Sequence, residues 1–202
     1  ETTLRGIEPH LLNQRAARVI VRDRRLRWPV PAEVSRAEGQ KFVSLQRRGK
    51  YLLLKLQQGA LLIHLGMSGS LRILPDPASP EKHDHFDIEM HNGVCLRFND
   101  PRRFGAFLWL DGELQSHELL RELGPEPLSA DFTADYLYHC SRARQVAIKN
   151  FIMNGHIVVG VGNIYASESL FRAGINPKLA ARRLGPARCD RLAAAIREVL
   201  AE

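Results

Sequence analysis

The chain has 202 residues, of which 45% are hydrophobic, so it is long enough to bury one large core or two smaller ones. It carries 29 Lys and Arg against 22 Asp and Glu, a net charge of +7, which suits a phosphate-rich partner, although an inert basic surface has the same composition. Three widely separated cysteines disfavour a disulfide scaffold or a zinc cluster, and no apolar run reaches the ~18 residues of a membrane span.

The first part of the chain is predicted to form a short helix and then an antiparallel β-sandwich. Leu4, Ile7 and Leu11 recur at helical spacing, although Pro9 interrupts the pattern. The apolar runs that follow are Val19–Val21, Tyr51–Leu56, Leu61–Leu65, Leu71–Leu74, Phe86–Met90, Val94–Phe98 and Phe104–Leu110. Turn residues separate them, and Asn92-Gly93 is a strong hairpin signal. Seven or eight strands at this spacing predict two packed layers.

The second part of the chain has a helical pattern. Two prolines in Gly124–Leu128 predict a linker, because proline blocks regular structure. Helical spacing then covers Tyr136–Cys140, Val146–Met153, Ile164–Ala173 and Cys189–Leu200. We therefore predict an α+β protein with an N-terminal β-sandwich domain over 1–124 and a C-terminal helical domain over 125–202.

Two turns in the β-rich part contain residues suited to opening a nucleic-acid duplex. Met67, flanked by Gly66 and Ser68, fits a core filler, but on a turn it also fits a plug for the gap left by an extruded base. In Asp100–Gly105, Arg102 and Phe104 fit a solvated turn, or a guanidinium that reads base edges beside a ring that wedges between bases.

Three other basic or metal-type positions have two interpretations each. Lys50 opens an apolar strand, where lysine is usually solvated, and His64 ends one, where it is either a satisfied core histidine or a phosphate donor. The run His83–Asp87 contains the residue types of a transition-metal site, and strand alternation would place His83, His85 and Asp87 on one face. No fourth ligand is evident, so we predict no metal site there.

Gly160-Val161-Gly162-Asn163 precedes a predicted helix. Glycines at this place allow backbone N–H groups to approach a phosphate, and Asn163 is suited to be the N-cap or a direct phosphate ligand. A tight connection between helices without a ligand fits the spacing equally well. A preceding basic helix, with Arg142, Arg144 and Lys149, favours the phosphate site.

Four motifs together carry a resemblance to a known family. They are Lys50–Leu53, His64–Ser70, Asp100–Gly105 and Gly160–Glu168, and in this order they resemble the formamidopyrimidine-DNA glycosylases. The second and third are more similar to that branch than to its sister, endonuclease VIII. The resemblance covers almost the whole chain from Thr2, and 142–173 resembles the helix–two-turn–helix of the family.

The resemblance implies a bifunctional DNA glycosylase and apurinic/apyrimidinic lyase. Such an enzyme extrudes 8-oxoguanine or a formamidopyrimidine into a cleft between its domains, forms a Schiff base on an N-terminal proline, and nicks the strand by β,δ-elimination. It implies a monomer acting on damaged double-stranded DNA in the bacterial cytoplasm, at the nucleoid. Lys50 matches the essential lysine of the family, and the implied DNA-contacting residues are His64, Met67, His83, Arg102, Phe104, Arg142, Arg144, Lys149, Gly162, Asn163 and Tyr165.

Two parts of the family pattern do not occur in residues 1–202. Family members begin with Pro-Glu-Leu-Pro-Glu and end with a four-cysteine zinc finger. We therefore expect the proline nucleophile and the structural zinc to belong to segments outside this sequence, and Glu1 is not the catalytic glutamate. Two other functions fit the same residues: a catalytically silent damaged-DNA-binding relative or fragment, and an RNA- or nucleotide-binding module.

Overall fold

The structure, a computed structural model, describes residues 1–75 and 78–201, without the side chain of Gln115. The chain forms two compact units, Glu1–His117 and Glu118–Glu202. Glu202, the last residue of the predicted helical domain, lies outside the described residues. Each unit has a hydrophobic core of its own, so burial within the unit stabilises each of them.

Two four-stranded antiparallel sheets make up most of the first unit, with strand orders β1-β6-β7-β5 and β2-β3-β4-β8. The strands are β1 (Ala16–Val21), β2 (Phe42–Arg48), β3 (Tyr51–Leu56), β4 (Ala60–His64), β5 (Ser70–Leu74), β6 (Asp84–Met90), β7 (Cys95–Asn99) and β8 (Ala106–Leu110). Short 3₁₀ helices cover Ala32–Ala37 and Leu114–Ser116.

Aromatic rings join the two sheets. Phe86 on β6 stacks on Phe107 of β8, with 3.8 Å between ring centroids, and on Phe98 of β7 at 4.8 Å. All three rings are fully buried, and each such burial contributes about 1.5–3 kcal/mol. The helix α1 (Thr2–Leu11) covers the same core with its buried leucines and isoleucine.

The helix α1 continues through Pro9, although proline cannot donate the hydrogen bond to the carbonyl of Arg5. The next turn still closes, because the N–H of Leu12 donates to the carbonyl of Glu8 at 2.9 Å. Leu4, Ile7 and Leu11 are all buried, so packing of the apolar face outweighs the local cost.

The strand β2 was not predicted from the apolar pattern. A register shift between Phe42 and Ser44 places the buried residues Phe42 and Leu45 three positions apart, so the expected alternation is interrupted. A two-residue turn, Gly49-Lys50, joins β2 to β3, and Gly49 has a φ of +57°. This hairpin fixes the position of Lys50.

The second unit is helical, which confirms the predicted α+β class with a β-sandwich before a helical domain. Its helices are α2 (Glu118–Arg121), α3 (Ala134–Ser141), α4 (Ile148–Ile152), α5 (Asn163–Arg172) and α6 (Pro186–Ala201), with a 3₁₀ helix at Ala181–Arg183. Phe132, Leu137, Phe151, Leu170 and Ile196 lie in its core.

Gly124, the predicted start of the linker, is bound into this second unit. Its N–H donates to the carbonyl of Gly155 at 2.8 Å, and a Cβ there would lie 2.6 Å from the backbone of Ile157. The compact unit therefore begins at Glu118, ahead of the predicted boundary.

Candidate nucleic-acid interface

One buried carboxylate ties two turns of the first unit together. The first turn joins β4 to β5 and the second joins β7 to β8. Asp100 is fully buried, and its Oδ1 accepts hydrogen bonds from the Ser68 hydroxyl at 2.6 Å and from the N–H of Arg102 at 3.3 Å. Its Oδ2 accepts from the N–H of Gly105 at 2.8 Å. Ser68 belongs to the first turn and the other two donors to the second.

The backbones of the two turns also approach closely at Gly66. This residue has a φ of +63°, and a Cβ on it would lie 2.5 Å from the carbonyl carbon of Phe104 and 2.7 Å from the nitrogen of Gly105. Only glycine fits both the conformation and the space. The predicted glycine-flanked turn around Met67 is therefore packed against the turn that carries Arg102 and Phe104.

The two turns present apolar side chains to solvent. Met67 is 74% exposed and Phe104 is 44% exposed, although both are large and apolar. The Arg102 guanidinium carbon lies 4.8 Å from the centre of the Phe104 ring, so these side chains are stacked. Arg103 differs, because it has a φ of +57° and forms an ion pair with Asp23 at 2.9 Å. The structure thus brings three predicted site residues onto one rigid support.

His83 is linked to the same support through its backbone. It has a left-handed φ of +75°, and its carbonyl accepts from the N–H of Asp100 at 3.0 Å. His85 is buried, and its Nε2 donates to the carbonyl of Asp100 at 2.7 Å. The side chain of His83 is half-buried.

His64, at the end of β4, is fixed as a neutral hydrogen-bond donor. Burial, with smaller contributions from Arg27 and Lys50, lowers the pKa of His64 to about 4, so the ring is neutral at pH 7. Its Nδ1 accepts from the N–H of Gly66 at 2.9 Å. The proton of the neutral ring is therefore on Nε2, which is left to donate to a ligand.

Lys50 lies in the hairpin turn and is exposed. Its pKa is lowered because nearby protein atoms remove part of the water around the ammonium. Lys50 also contributes to the low pKa of His64, which it does as a nearby positive charge. None of the described side chains, which exclude that of Gln115, bonds to it, so the ammonium is available.

His83, His85 and Asp87 do not form the shared strand face, suited to a metal ion, that regular alternation would give. A register shift between Asp84 and Phe86 breaks the alternation, so that Asp84 and Asp87 both face Arg97, at 3.6 and 2.8 Å. Arg97 and Arg22 lower the pKa of Asp87 by hydrogen bonding, although burial alone would raise it. These carboxylates are therefore held by arginine.

The described part of the chain has no group of three or more His, Cys, Asp and Glu that could hold a metal ion. Burial raises the pKa of the Cys95 and Cys189 thiols to about 11, so neither is a thiolate at neutral pH. The donors present therefore do not fit a zinc site. No helix among the residues described is long and apolar enough to cross a membrane.

In the second unit, a glycine rather than an asparagine is the N-cap of α5. Gly162 is the N-cap, with an extended backbone, and Asn163 is the first helical residue, so the N-cap role predicted for Asn163 is wrong. No side chain caps this end, and the first bond within the helix is donated by the N–H of Ala166 to the carbonyl of Gly162. Tyr165, in the first turn, is 44% exposed.

Lys149 on α4 is bound to the same end of α5. Its Nζ donates to the hydroxyl of Ser167 at 2.9 Å, and that hydroxyl donates to the carbonyl of Asn163 at 2.9 Å. A positive charge thus adds to the partial positive charge of the helix N-terminus. The combination suits an anion such as phosphate.

Arg142 and Arg144 do not lie on one basic helix with Lys149, because α3 ends at Ser141 and α4 begins at Ile148. The Arg142 guanidinium stacks on the ring of Tyr138 at 3.9 Å and donates to the carbonyls of Tyr138 and Leu184. Arg142 therefore stabilises the second unit by joining the end of α3 to the segment before α6. Arg144 is exposed and, in the described part of the chain, its side chain has no bonding partner.

Three residues that organise these sites were not singled out from the sequence. Ser68, Asp100 and Ser167 connect predicted site residues through hydrogen bonds. The only sequence signal for them was their position inside the motifs, because hydrogen bonds between distant turns have no local pattern.

Two family models match the chain. The formamidopyrimidine-DNA glycosylase N-terminal domain matches residues 1–107, and the formamidopyrimidine-DNA glycosylase H2TH domain matches residues 123–202. Both matches agree with the resemblance found in the motifs. The second includes the helix–two-turn–helix predicted over 142–173.

Curated relatives and solved structures agree with the family models. The formamidopyrimidine-DNA glycosylase of Thioalkalivibrio sulfidiphilus is 57% identical over 100% of this chain and 75% of its own length. That of Escherichia coli O6:H1 is 56% identical over 99% of this chain and 74% of its own. The MutM (Fpg) protein of Thermus thermophilus has a TM-score of 0.87 at 35% identity, covering 99% of this chain and 72% of its own.

A Lactococcus lactis formamidopyrimidine-DNA glycosylase, solved non-covalently bound to DNA containing an AP site, has a TM-score of 0.92 at 27% identity. The match covers 99% of this chain and 78% of that one. The two family models, the relatives and the arrangement of the site lead to one conclusion: this chain belongs to the formamidopyrimidine-DNA glycosylase family.

Proposed function

We propose that this chain forms the DNA-handling part of a base-excision repair enzyme. The enzyme excises oxidised purines from duplex DNA as a glycosylase and nicks the strand at the resulting AP site as a lyase. The observation that carries the proposal is the rigid pair of turns that exposes Met67, Arg102 and Phe104 together. Membership of the family supports the same activity.

We assign Met67, Arg102 and Phe104 to opening the duplex. An exposed apolar side chain on a rigid turn has no stabilising role in the free protein, but it can fill the space that an extruded base leaves. The stacked Arg102 guanidinium carries hydrogen-bond donors that can read the base opposite that gap.

We assign a phosphate of the DNA backbone to the start of α5. Asn163, Lys149 and the N–H groups of the first turn of α5 supply donors and positive charge at one place, and Gly162 leaves room for close approach. We assign Tyr165 and Arg144 to DNA contacts as well, and both side chains are exposed. Arg142 contributes indirectly by holding the loop before α4.

His64, Lys50 and His83 are proposed to hold the backbone at the lesion. The neutral ring of His64 presents Nε2–H, and the exposed ammonium of Lys50 is not bonded to another described side chain. A lysine whose pKa is lowered is also suited to proton transfer after the base has left, so Lys50 has the strongest chemical role among these residues.

The family resemblance implies that an N-terminal proline amine forms the Schiff base and that a structural zinc finger grips DNA. The described donors do not fit zinc. We assign binding and orientation of the DNA to this chain's own residues. We place the enzyme in the bacterial cytoplasm, on the nucleoid, where its DNA substrate lies.

Borohydride trapping tests the proposal. The natural protein, with its own termini, is incubated with an 8-oxoguanine duplex and with a matched guanine duplex. A covalent adduct on the first alone is expected. Binding of the damaged duplex without an adduct would instead support a silent damaged-DNA-binding relative, and binding without preference for the damaged duplex would support a general nucleic-acid-binding module.

Lys50→Ala tests the strand-cleavage step of the proposed reaction. We expect the variant to lose most strand cleavage on a duplex that already contains an AP site, with Lys55→Ala, an exposed lysine on β3, as the control. Equal cleavage by both variants would remove Lys50 from the chemistry.

A further inference from the structure

Asp100 bonds through every one of its polar groups, and each bond reaches a segment that carries a proposed DNA-contacting residue. Its carboxylate holds Ser68, beside Met67, as well as the N–H groups of Arg102 and Gly105. Its N–H donates to the carbonyl of His83 at 3.0 Å. Its carbonyl accepts from the Nε2 of His85 at 2.7 Å.

We infer that Asp100 is a positioning residue that makes Met67, Arg102 and Phe104 act as one preformed device for opening the duplex. The inference rests on the proposed function. Asp100 is fully buried, so it contacts neither DNA nor solvent and acts only through the turns that it joins. The Ser68 hydroxyl that it holds also accepts from the N–H of Arg102 at 3.3 Å, which adds a second bond between the turns.

The position requires an acceptor on both sides. Oδ1 faces the Ser68 hydroxyl and the N–H of Arg102, and Oδ2 faces the N–H of Gly105. An asparagine has one oxygen and one NH₂ group, so in either orientation its NH₂ faces a backbone N–H. The serine hydroxyl can rotate to accept, but a backbone N–H cannot. Asp100→Asn therefore leaves one backbone N–H of the second turn, that of Arg102 or that of Gly105, without its bond to this side chain.

If the two turns are held less firmly, opening of the duplex is affected more than the chemical steps. When the lesion is already unpaired, little unstacking is needed, so the contribution of Met67 and Phe104 is small. When the lesion is paired, a displacement of about 1 Å in these side chains lowers the rate by about 100-fold. A defect that depends on pairing is thus the signature of a positioning role.

The test measures single-turnover excision by the natural protein on an 8-oxoguanine placed either in a fully paired duplex or in an unpaired bubble. We expect Asp100→Asn to lower the rate by about 100-fold on the duplex and by less than about tenfold on the bubble. Affinity for undamaged duplex, held by the separate α5 site, is expected to change by less than about threefold.

Asp87→Asn is the matched control. Asp87 is equally buried in the same unit and bonds Arg97 and Arg22, but it bonds to neither turn. We expect its duplex-to-bubble ratio to equal that of the wild type. An Asp100→Asn defect of the same size on both substrates, or a ratio matching that of Asp87→Asn, would overturn the inference.

Ser68 supplies a second perturbation if Asp100→Asn does not fold. Ser68→Ala removes one bond to the carboxylate and is expected to lower the duplex-to-bubble ratio by about tenfold, whereas Ser68→Thr keeps the hydroxyl and restores it. No difference between the two variants would refute the positioning role. A wild-type protein that excises from neither substrate would instead overturn the proposed function.

Discussion

Replacing Gly66 by alanine tests whether the two turns must touch. Gly66 has a φ of +63°, where an alanine is strained by about 1–2 kcal/mol. Its new methyl group would also lie 2.5 Å from the backbone of Phe104, and overpacking of this kind costs about 1–3 kcal/mol. Because the neighbour is backbone rather than a flexible side chain, the turns must separate. We expect Gly66→Ala to lower the free energy of unfolding by about 2–5 kcal/mol.

Gly93→Ala is the matched control for the strain alone. Gly93 has a φ of +86°, and a Cβ on it would meet nothing within 4 Å. Only the strain of about 1–2 kcal/mol is expected there. Urea unfolding of both variants gives the difference, which we expect to be about 1–3 kcal/mol, with Gly66→Ala the less stable.

Activity then separates the turns from general stability. Below both unfolding transitions, Gly93→Ala is expected to excise 8-oxoguanine from duplex DNA at the wild-type rate. Gly66→Ala is expected to lose this activity while binding undamaged duplex normally, because the turn that carries Met67 no longer packs against the turn that carries Phe104. Equal loss of stability in the two variants, or normal excision by Gly66→Ala, would refute the reasoning.

Three further outcomes are expected. The pKa of His64 is about 4 in the folded protein against an ordinary 6.5. The unfolded chain therefore binds more protons than the folded protein between these pH values. The free energy of unfolding is thus highest above pH 6.5 and falls by up to about 3 kcal/mol as the pH drops towards 4. Urea unfolding of wild type and His64→Gln at pH 7 and pH 4 measures it, and a wild type no more pH-sensitive than the variant contradicts it. Lys149→Ala is expected to reduce the salt slope of duplex binding by about 1, with Lys55→Ala unchanged as the control. Arg102→Ala combined with Asn163→Ala is expected to weaken duplex binding in a filter-binding titration at fixed salt, and undiminished binding would contradict the assignment of both residues.

The sequence predicted most strands and helices because burial leaves a periodic trace. The predicted strand Tyr51–Leu56 is β3, and the predicted Val94–Phe98 corresponds to β7 (Cys95–Asn99). The hairpin at Asn92-Gly93 joins β6 to β7. The trace failed at β2, where a register shift separates the buried residues Phe42 and Leu45 by three positions. An irregular strand is set by its partners, so its own sequence does not reveal it.

The same limit explains the sites. Met67, Arg102 and Phe104 were found because exposed turns carry short motifs, but the residue that joins them, Asp100, bonds to Ser68 across 32 positions. A register shift likewise invalidated the metal-type face expected at His83–Asp87. The sequence shows which side chains are present, whereas the contacts between two turns form only when the chain has folded.

Because the joined turns are already ordered in the free protein, they lose less conformational entropy when they bind DNA. A flexible turn over 65–69 would lose about 1–2 kcal/mol of conformational entropy per residue on ordering against DNA. Here the bonds to Asp100 and the contact at Gly66 fix that backbone in the free protein. Only the Met67 side chain then has to become ordered, at about 0.5–1.5 kcal/mol. More of the binding energy therefore remains available for unstacking a base, which takes a few kcal/mol.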